Sequence, residues 1–239
     1  MELSKYDEKH VRVTHFCGDT FTGVADYYDA DYCWSEFGKN EECIIIGEDL
    51  LPVSEIVSIE EIEVHGTAEL RTERLILRRY RPEDADDLYQ NFGAIPEMYR
   101  YSGWNPYATP EMARETVAHY IESYQDEHFY GWAMDFDSVL FGTIGAYDYK
   151  GDTIEVGFSV DKACWGQGYA TEALQAVLQY LTENEGIPCV TAWCAAENTG
   201  SRKVLEKAGM RFVRMEKDGL KIGDRTYDIL HYEYRIPSV

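Results

Sequence analysis

The sequence predicts an α/β (α+β) domain with a mixed sheet over residues 67–239, preceded by a small all-β domain over residues 1–66. Three observations predict this division. Short apolar runs separated by turn residues fill the first segment, whereas strand and helix periodicities alternate in the second. The acidic residues are also concentrated in the first segment, which carries 16 acidic and 4 basic side chains, against 28 and 18 in the second.

The first segment contains five short predicted strands. Val11 and Val13 alternate with polar neighbours, and Gly18-Asp19 then marks a turn. The later strands are expected over Phe21–Tyr28 with a break at Gly23, over Ile44–Ile46, from Leu51-Pro52 onward, and around Ile56, Val57, Ile59 and Ile62. Strands this short and this closely spaced predict a small, strongly bent β-barrel.

The order of these strands resembles that of the Sm-like and SH3-like small barrels of bacterial proteins. The matching pieces are His10–Thr14, Gly18–Tyr28, Ile44–Ile46 and Pro52–Ile59. Sm-like proteins often bind RNA, but the only cationic side chains of this segment are Lys5, Lys9, Arg12 and Lys39. The acidic balance therefore favours a docking or dimerisation role over RNA binding, and a purely structural appendage is the remaining alternative.

The second segment alternates strands with helices. Leu70–Arg79 has the pattern of a strand, and Arg81-Pro82-Glu83-Asp84 predicts a helix start, because proline and acidic residues are favoured in a first turn. Further helices are expected over Ile95–Arg100, Pro110–Tyr124, Gly168–Glu183 and Thr199–Ala208. Further strands are expected over Gly131–Asp135, Val139–Asp148, Thr153–Val160 and Cys189–Cys194, from Arg211, and over Arg225–Arg235, with Asp137-Ser138 joining the first two as a hairpin.

The composition limits the possible functions. A net charge of −22 disfavours a generic nucleic-acid binder and would suit a cationic substrate, with solubility alone as the alternative. No apolar run approaches the roughly 20 residues of a membrane span, and the N-terminus lacks a secretory signal, so we expect a cytoplasmic protein. The cysteines lack metal-ligand spacing, which predicts reduced thiols and no metal site. These cysteines are Cys17, Cys33, Cys43, Cys164, Cys189 and Cys194.

The most informative stretch is a strand, a glycine-rich turn and a helix, over Ile154–Asp161 and Trp165–Ala173. Gly166 and Gly168 lack side chains, so their backbone N–H groups can approach an anion closely. The helix start adds unpaired N–H donors and the positive end of the helix dipole. Together these features predict a cradle for a diphosphate group.

This stretch resembles the acetyl-CoA motif of the GNAT superfamily, in which Arg or Gln is followed by two residues, Gly, one residue, and Gly or Ala. The six positions here are Trp165, Gly166, Gln167, Gly168, Tyr169 and Ala170, so the tryptophan departs from the general pattern. Trp-Gly-x-Gly-Tyr-Ala-Thr-Glu-Ala is nevertheless similar to the RimJ/RimL branch of protein N-terminal acetyltransferases. The blocks at residues 71–79 and 197–210 are also similar to that branch, and the three blocks together span roughly residues 68–237.

The resemblance implies a GNAT-type N-acetyltransferase that moves an acetyl group from acetyl-CoA directly to a primary amine in a ternary complex. It implies that the strand at residues 154–160 separates from its neighbour. Backbone groups of Phe158, Ser159 and Val160 would then hold the pantetheine arm and polarise the thioester carbonyl, which stabilises an oxyanion. Amides of residues 167–170 would hold the diphosphate, Asn198 would contact the pantetheine arm, and Ser201 would lie near the sulfur.

Transfer also needs a base, because most alkyl amines are protonated at neutral pH. Glu155 is the leading candidate, since it lies on the cofactor strand, and Glu197 is the second; the alternative for Glu155 is a solvent-facing or ion-paired side chain. Ser201 and Tyr232 are the candidates for protonating the leaving thiolate. Asn198 could equally cap the helix that follows it.

The acceptor remains open between a protein N-terminus, a polyamine, an aminoglycoside-like drug and a small metabolite amine. Loops 92–110 and 215–226 are expected to line its pocket, and aromatic and acidic walls would suit a cationic acceptor. The pocket aromatics would be Tyr99, Tyr101, Trp104 and Tyr107. The sequence shows no Ser-His-Asp nucleophile set, and Cys164 is expected to have no catalytic role. Both expectations favour direct transfer over an acyl-enzyme. The alternative function is a catalytically silent CoA-binding sensor or scaffold acting through the acidic barrel, and we expect a monomer or a homodimer.

Overall fold

The computed structural model describes residues 1–136 and 139–235, which divide into two compact units at Val64 and His65. The first unit is a five-stranded antiparallel sheet with strand order β4-β3-β2-β1-β5. Its strands are β1 (His10–His15), β2 (Thr20–Tyr28), β3 (Cys43–Ile46), β4 (Asp49–Pro52) and β5 (Ile56–Glu61). Its core is a cluster of buried aliphatic side chains, which includes Val11, Val13, Ile44, Ile56 and Ile59.

The predicted closed barrel is not confirmed. Among the described strands, no pairing joins the two edges, β4 and β5, so the sheet stays open. The predicted break at Gly23 is wrong, because β2 runs through it and Gly23 pairs with Val11. A Cβ at residue 23 would lie 2.7 Å from Ile46 Cγ2, so this glycine serves close packing within the sheet.

A helix in the first unit, α1 (Ala30–Phe37), was not predicted from the sequence. Asp29 caps it, because its Oδ1 accepts a hydrogen bond from the Tyr32 N–H at 2.8 Å. Gly38 ends it in the left-handed conformation, with φ of 69°. The fourth strand also differs from the prediction, since it ends at Pro52 rather than starting there.

The second unit is a mixed eight-stranded sheet with strand order β12-β13-β11-β10-β9-β8-β7-β6. The strands are β6 (Leu70–Arg71), β7 (Ile76–Arg78), β8 (Tyr130–Phe136), β9 (Val139–Tyr147), β10 (Thr153–Val160), β11 (Cys189–Ala195), β12 (Arg211–Ile222) and β13 (Arg225–Arg235). All neighbours are antiparallel except β10 and β11, which are parallel. The mixed sheet predicted from the sequence is therefore confirmed, while the turn at Asp137-Ser138 lies outside the described residues.

The helices of this unit cover both faces of the sheet. They are α2 (Asp84–Leu88), α3 (Pro110–Ser123), α4 (Tyr169–Gln179) and α5 (Thr199–Lys207). Ala133 of β8 packs in the cluster formed by α2 and α3, whereas the adjacent Trp132 contacts Tyr180 directly after α4, with ring centroids 6.0 Å apart. Because neighbouring strand residues point to opposite faces, α2 and α3 lie on one face and α4 on the other.

The strand predicted over Leu70–Arg79 is interrupted by a turn. The Thr72 hydroxyl accepts a hydrogen bond from the Leu75 N–H at 2.9 Å, which separates β6 from β7. After the turn, the buried Arg78 guanidinium joins three elements, because it hydrogen-bonds Asp84 of α2 at 2.8 Å and Asp135 of β8 at 2.7 Å. These two carboxylates raise the pKa of Arg78 against the opposing effect of burial, which keeps the guanidinium charged.

Across the described residues, none of the helices has the length and apolar character that a membrane crossing requires.

Candidate active site

The central feature of the second unit is a divergence of its two parallel strands. Pairing between β10 and β11 runs from Thr153–Cys189 to Glu155–Thr191 and does not continue beyond that pair. β10 keeps pairing with β9 on its other side, and β11 keeps pairing with β13. The backbone groups on the β11 side of residues 156–160 therefore have no strand partner in the described sheet, and they can bind a ligand.

The three residues predicted to hold a pantetheine arm lie in this divergent part of β10. Phe158 and Ser159 are half-buried and Val160 is buried, so the strand is accessible without being open to bulk solvent. The Val160 carbonyl accepts a hydrogen bond from the Trp165 indole N–H at 2.7 Å. Trp165 thereby ties the end of β10 to the glycine-rich turn that follows it.

The glycine-rich turn has the conformation that an anion cradle needs. Gly166 and Gly168 have φ of 77° and 88°, which side chains disfavour, and a Cβ at residue 166 would meet nothing within 4 Å. α4 then begins at Tyr169 without a side-chain cap. Exposed backbone at residues 166–168 followed by an uncapped helix start fits a diphosphate, so the residues present match the group that the motif implies.

Arg74 is a site residue that the sequence did not single out. From the turn before β7, its guanidinium hydrogen-bonds the Gln167 carbonyl at 3.2 Å and Glu172 Oε2 at 2.7 Å, and it lies 4.6 Å from the Tyr169 ring centroid. It therefore supports the cradle from the side and places a positive charge beside it. In the sequence, Arg74 is one of several arginines in the block at residues 71–79, and nothing there distinguishes it from the others.

A pocket of about 360 Å³ opens beside the cradle and carries a second positive charge. Its lining includes Arg74, Gly168, Thr171, Gln175 and Lys207. Two cations next to an uncapped helix start favour an anionic ligand. Two carboxylates also line the pocket: Glu73 is exposed, and Glu172 is already engaged by Arg74.

That carboxylate, Glu172, ties α4 to the turn between β6 and β7. Its Oε1 accepts hydrogen bonds from the Thr72 hydroxyl at 2.6 Å and from the Arg74 N–H at 3.0 Å. Burial by itself would raise the pKa of Glu172, but the hydrogen bonds from Thr72 and Arg74 hold the pKa below its ordinary value. The carboxyl is therefore an ionised acceptor that fixes the first turn of α4.

Glu155 lies at the last point where β10 and β11 pair. Its Oε1 accepts a hydrogen bond at 2.9 Å from the indole N–H of Trp193, which lies on β11 across the divergence. Burial, followed by the charge and hydrogen bonding of Glu155, raises the pKa of Tyr147. Gly157 permits this approach, because a Cβ at that residue would lie 2.9 Å from the Tyr147 hydroxyl oxygen.

Asn198 and Ser201 lie at the end of β11 where the divergence opens. Asn198 caps α5, since its Oδ1 accepts a hydrogen bond from the Ser201 N–H at 3.1 Å, and the Asn198 N–H donates to the carbonyl of Ala195 at 2.9 Å. Because parallel strands end at the same edge of a sheet, these two residues lie at the edge where Val160 ends β10. The second candidate base, Glu197, is exposed next to them.

Tyr232 occupies a different environment. It pairs with Ala192 of β11, is only 2% exposed, and its hydroxyl donates a hydrogen bond to Glu206 of α5 at 3.2 Å. Burial, then the charge of Glu206, raises the pKa of Tyr232 to about 12. The phenol is therefore protonated at neutral pH, and its proton is directed toward α5.

The two segments predicted to line the acceptor pocket do come together. Tyr101 lies against Tyr227 with ring centroids 5.6 Å apart, and a Cβ at Gly103 would be 3.2 Å from Ile222 Cγ1. Residues 215–222 belong to β12, however, so most of the second predicted loop is a strand.

The four predicted pocket aromatics have unequal surroundings. Tyr107 is buried in the α2–α3 cluster, and the Tyr99 hydroxyl hydrogen-bonds the Gly93 carbonyl, so both have structural roles. Tyr101 is half-buried and Trp104 is 69% exposed, which leaves these two able to contact an acceptor.

Comparison with known proteins agrees with this geometry. Residues 74–211 match the family model described as an acetyltransferase (GNAT) domain. The uncharacterized N-acetyltransferase p20 of Bacillus licheniformis is 29% identical over 168 residues, which cover 67% of this chain and 92% of that relative. A GNAT-family acetyltransferase from Bacillus anthracis has a similar structure, with a TM-score of 0.62, 25% identity, and coverage of 70% of this chain and 98% of that one.

A third similarity concerns the fold alone. The structure of RimL, a ribosomal L7/L12 alpha-N-protein acetyltransferase in complex with coenzyme A, superposes with a TM-score of 0.63 at 18% identity. The superposition covers 70% of this chain and 98% of that one.

Proposed function

The chain belongs to the GNAT acetyltransferase family and uses acetyl-CoA as its cosubstrate, and from this premise we propose that it acetylates a protein N-terminus or a small cationic amine by direct transfer. The observation that carries the proposal is the divergence of β10 and β11 beside the glycine-rich turn at the start of α4. It provides a slot for the pantetheine arm and an anion cradle at its end. A catalytically silent CoA-binding scaffold is not favoured, because the similar proteins are named acetyltransferases.

Backbone groups supply most of the cofactor contacts in this proposal. Backbone groups of residues 158–160 that face away from β9 hold the pantetheine arm and polarise the thioester carbonyl. Amides of residues 167–170 hold the diphosphate, with Trp165 and Gly166 shaping the turn and Arg74 supporting it. Asn198 orients the arm from the end of β11. Bound acetyl-CoA supplies an activated acetyl group, and the protein supplies position, donors and proton transfer.

Glu155 takes the proton from the acceptor amine, either directly or through one water. Its position at the mouth of the divergence supports this role, since the carboxylate is held there by the Trp193 indole and lies beside Tyr147 at the end of β9. Ser201 protonates the leaving thiolate, because it lies at the edge where the strands open. Tyr232 is the second candidate for that proton, although its hydroxyl donates to Glu206 in this structure.

The acceptor binds on the side of the sheet where Tyr101 meets Tyr227 and where Trp104 is exposed. Aromatic rings at this mouth can stack on a cation or pack on the first side chain of a peptide. The similarity to RimL in fold supports testing protein N-termini first. We also propose that the first unit is a separate small domain used for docking or dimerisation.

The test combines calorimetric binding of acetyl-CoA with a thiol-release assay over N-terminal peptides and small amines. We expect acetyl-CoA to bind and one acceptor class to give turnover. A Trp104→Ala variant should raise the KM for that acceptor and leave the affinity for acetyl-CoA unchanged. Binding of acetyl-CoA without turnover on any peptide or amine would contradict the proposed acceptor classes, and absence of binding would contradict the cradle at residues 166–170.

A further inference from the structure

A thiol, an imidazole and a carboxylate form a hydrogen-bonded chain in the first unit. Cys17 lies in the turn between β1 and β2, where Gly18 has φ of 95°. The Cys17 Sγ is 2.7 Å from His15 Nδ1, and His15 Nε2 is 3.1 Å from Glu55 Oε2. This order, with one imidazole nitrogen at the sulfur and the other at a carboxylate, is the arrangement that activates a thiol nucleophile.

The imidazole is held in place while the sulfur stays accessible. The His15 side chain is 15% exposed and packs between Phe16 and Phe21, with ring centroids 4.5 and 6.0 Å away. Cys17 is exposed. A fixed base beside an accessible thiol lets a soluble reagent reach the sulfur without any rearrangement of the sheet.

Three charged groups complete the surroundings of the thiol and imidazole. Hydrogen bonds from His15 and from Lys39 hold the pKa of the Glu55 carboxyl below its ordinary value, so this carboxylate stays an acceptor. An acceptor at His15 Nε2 leaves Nδ1 as the unprotonated nitrogen, which faces the sulfur and also accepts the Cys17 backbone N–H at 3.5 Å. Asp19 acts in the opposite direction, because its Oδ2 accepts a hydrogen bond from the Cys17 thiol at 3.0 Å, in competition with His15, and its charge opposes a thiolate.

The other five cysteines lack this environment. Cys33, Cys43, Cys189 and Cys194 are buried. Cys164 is half-buried, and burial together with Asp161 raises its pKa. Cys17 is therefore the accessible thiol with a base at hydrogen-bond distance. No three His, Cys, Asp or Glu side chains in residues 1–136 and 139–235 converge as metal ligands do, so we interpret the group as a proton relay.

We propose that Cys17 is a modification site for low-molecular-weight disulfides, with His15 as its base and Glu55 as the residue that positions His15. His15 Nδ1 takes the thiol proton, and the Cys17 sulfur attacks one sulfur of the disulfide. The S–S bond of the reagent breaks, a new S–S bond forms at Cys17, and the released thiolate takes the proton back from His15. Cys17 is oxidised and one half of the reagent is reduced.

The first experiment measures the rate at which oxidised glutathione modifies Cys17 in the reduced full-length chain, by peptide mass spectrometry at pH 6.5 and pH 9. A capped peptide of residues 11–21 gives the rate of the same cysteine without the fold. We expect the folded protein to react at least about tenfold faster than the peptide at pH 6.5. The two rates should converge at pH 9, where an ordinary thiol is largely ionised.

Three variants test whether the faster reaction depends on the relay of Cys17, His15 and Glu55. His15→Asn and Glu55→Gln should lower the rate at pH 6.5 toward that of the peptide, whereas Asp19→Asn should raise it. Glu60→Gln is the matched control, because it also removes one negative charge, but from a β5 carboxylate that pairs with Arg12 and not with His15. This control should react like the unsubstituted protein.

Three results would overturn the proposal. The first is a folded protein that reacts no faster than the peptide at pH 6.5. The second is a His15→Asn protein that unfolds at the same urea concentration as the unsubstituted chain and reacts at the same rate. The third is modification of Cys164 as fast as that of Cys17.

Discussion

In the proposed mechanism, Glu155 is both a structural acceptor and the base. The Trp193 indole N–H, 2.9 Å away, holds its carboxylate at the opening between β10 and β11. The indole is neutral, so it orients the carboxylate through a hydrogen bond alone. Substituting Glu155 and Trp193 one at a time can therefore separate the proposed proton transfer from the orientation of the carboxylate.

We predict that Glu155→Gln lowers kcat by about 10²-fold or more, because general-base catalysis contributes that much in comparable sites. The affinity for acetyl-CoA should stay unchanged. Trp193→Phe keeps an aromatic ring but removes the donor, and it should lower kcat much less. Steady-state kinetics with a calorimetric Kd for acetyl-CoA tests this. If the two variants lose the same activity, Glu155 serves only to bind Trp193.

Glu172 makes a prediction about pH, because its pKa is lowered in the folded state by Thr72 and Arg74. A carboxyl with a depressed folded pKa stabilises the protein above its unfolded pKa of about 4.3, and this contribution is lost as the pH falls through the folded value. Glu172→Gln should therefore lower the free energy of unfolding by about 1 kcal/mol at pH 7.

Urea denaturation at pH 7 and pH 3 measures this difference. The gap between Glu172→Gln and the unsubstituted protein should be smaller at pH 3 than at pH 7, because a carboxyl with a lowered folded pKa loses its stabilising contribution as the pH falls. Glu115→Gln is the control, because Glu115 is exposed on α3 and its substitution should change stability little at either pH. A gap that stays constant between pH 7 and pH 3 would refute the ionised Glu172 contact.

At the scale of elements, the active site depends on how one helix starts. α4 has no side-chain cap, and two left-handed glycines precede it, so backbone conformation alone aims the N–H groups. The fold supports that conformation from outside the motif, through Arg74 on the Gln167 carbonyl. A change in the turn should therefore affect ligand affinity before it affects the core.

Gly166→Ala should weaken acetyl-CoA binding about tenfold, because a Cβ at φ of 77° costs about 1–2 kcal/mol and nothing within 4 Å obstructs it sterically. Gly151→Ala is the matched control, since Gly151 has φ of 86° in an equally open turn before β10. The control should lose similar stability in urea and bind acetyl-CoA normally. Equal affinity losses in the two variants would show that the turn at Gly166 is not the cradle.

The elements that the sequence predicted are those whose signals are local. The helix after Gly168 has apolar residues at helical spacing, so it was found. α1 was missed because its eight residues form one short aromatic-rich stretch, and only the cap at Asp29 and the stop at Gly38 define it. The turn at Thr72 was missed because a hydrogen bond, and no glycine or proline, interrupts the strand.

The candidate site residues also divide into those with a local signal in the sequence and those without one. The glycines and Ala170 could be named because the motif is contiguous in the chain. Arg74 could not, because its role depends on a contact with Gln167, 93 residues away. The His15–Cys17–Glu55 relay was invisible for the same reason, since Glu55 joins it only when β5 pairs with β1.

At the scale of the whole molecule, the dominant property is charge. The chain carries a net charge of −22, and both segments contribute, with 16 acidic and 4 basic side chains in the first 66 residues. Such a surface attracts cations over distances of about a Debye length, which is about 10 Å at 0.1 M salt. Around the pocket beside the cradle the charges balance, because Arg74 and Lys207 border it together with Glu73 and Glu172.

This charge predicts how the choice of acceptor depends on salt. For two N-terminal peptides that share their first residue but carry net positive or net negative charge afterwards, kcat/KM at low salt should favour the positive peptide. Raising the salt from about 0.02 M to about 0.5 M screens the attraction, so its kcat/KM should fall several-fold, while that of the negative peptide should rise. Because the two peptides present the same amine to Glu155, a change in chemistry would move both values together. Parallel responses would show that the acidic surface does not select the acceptor, whereas opposite responses would show that the molecule steers its substrate by charge.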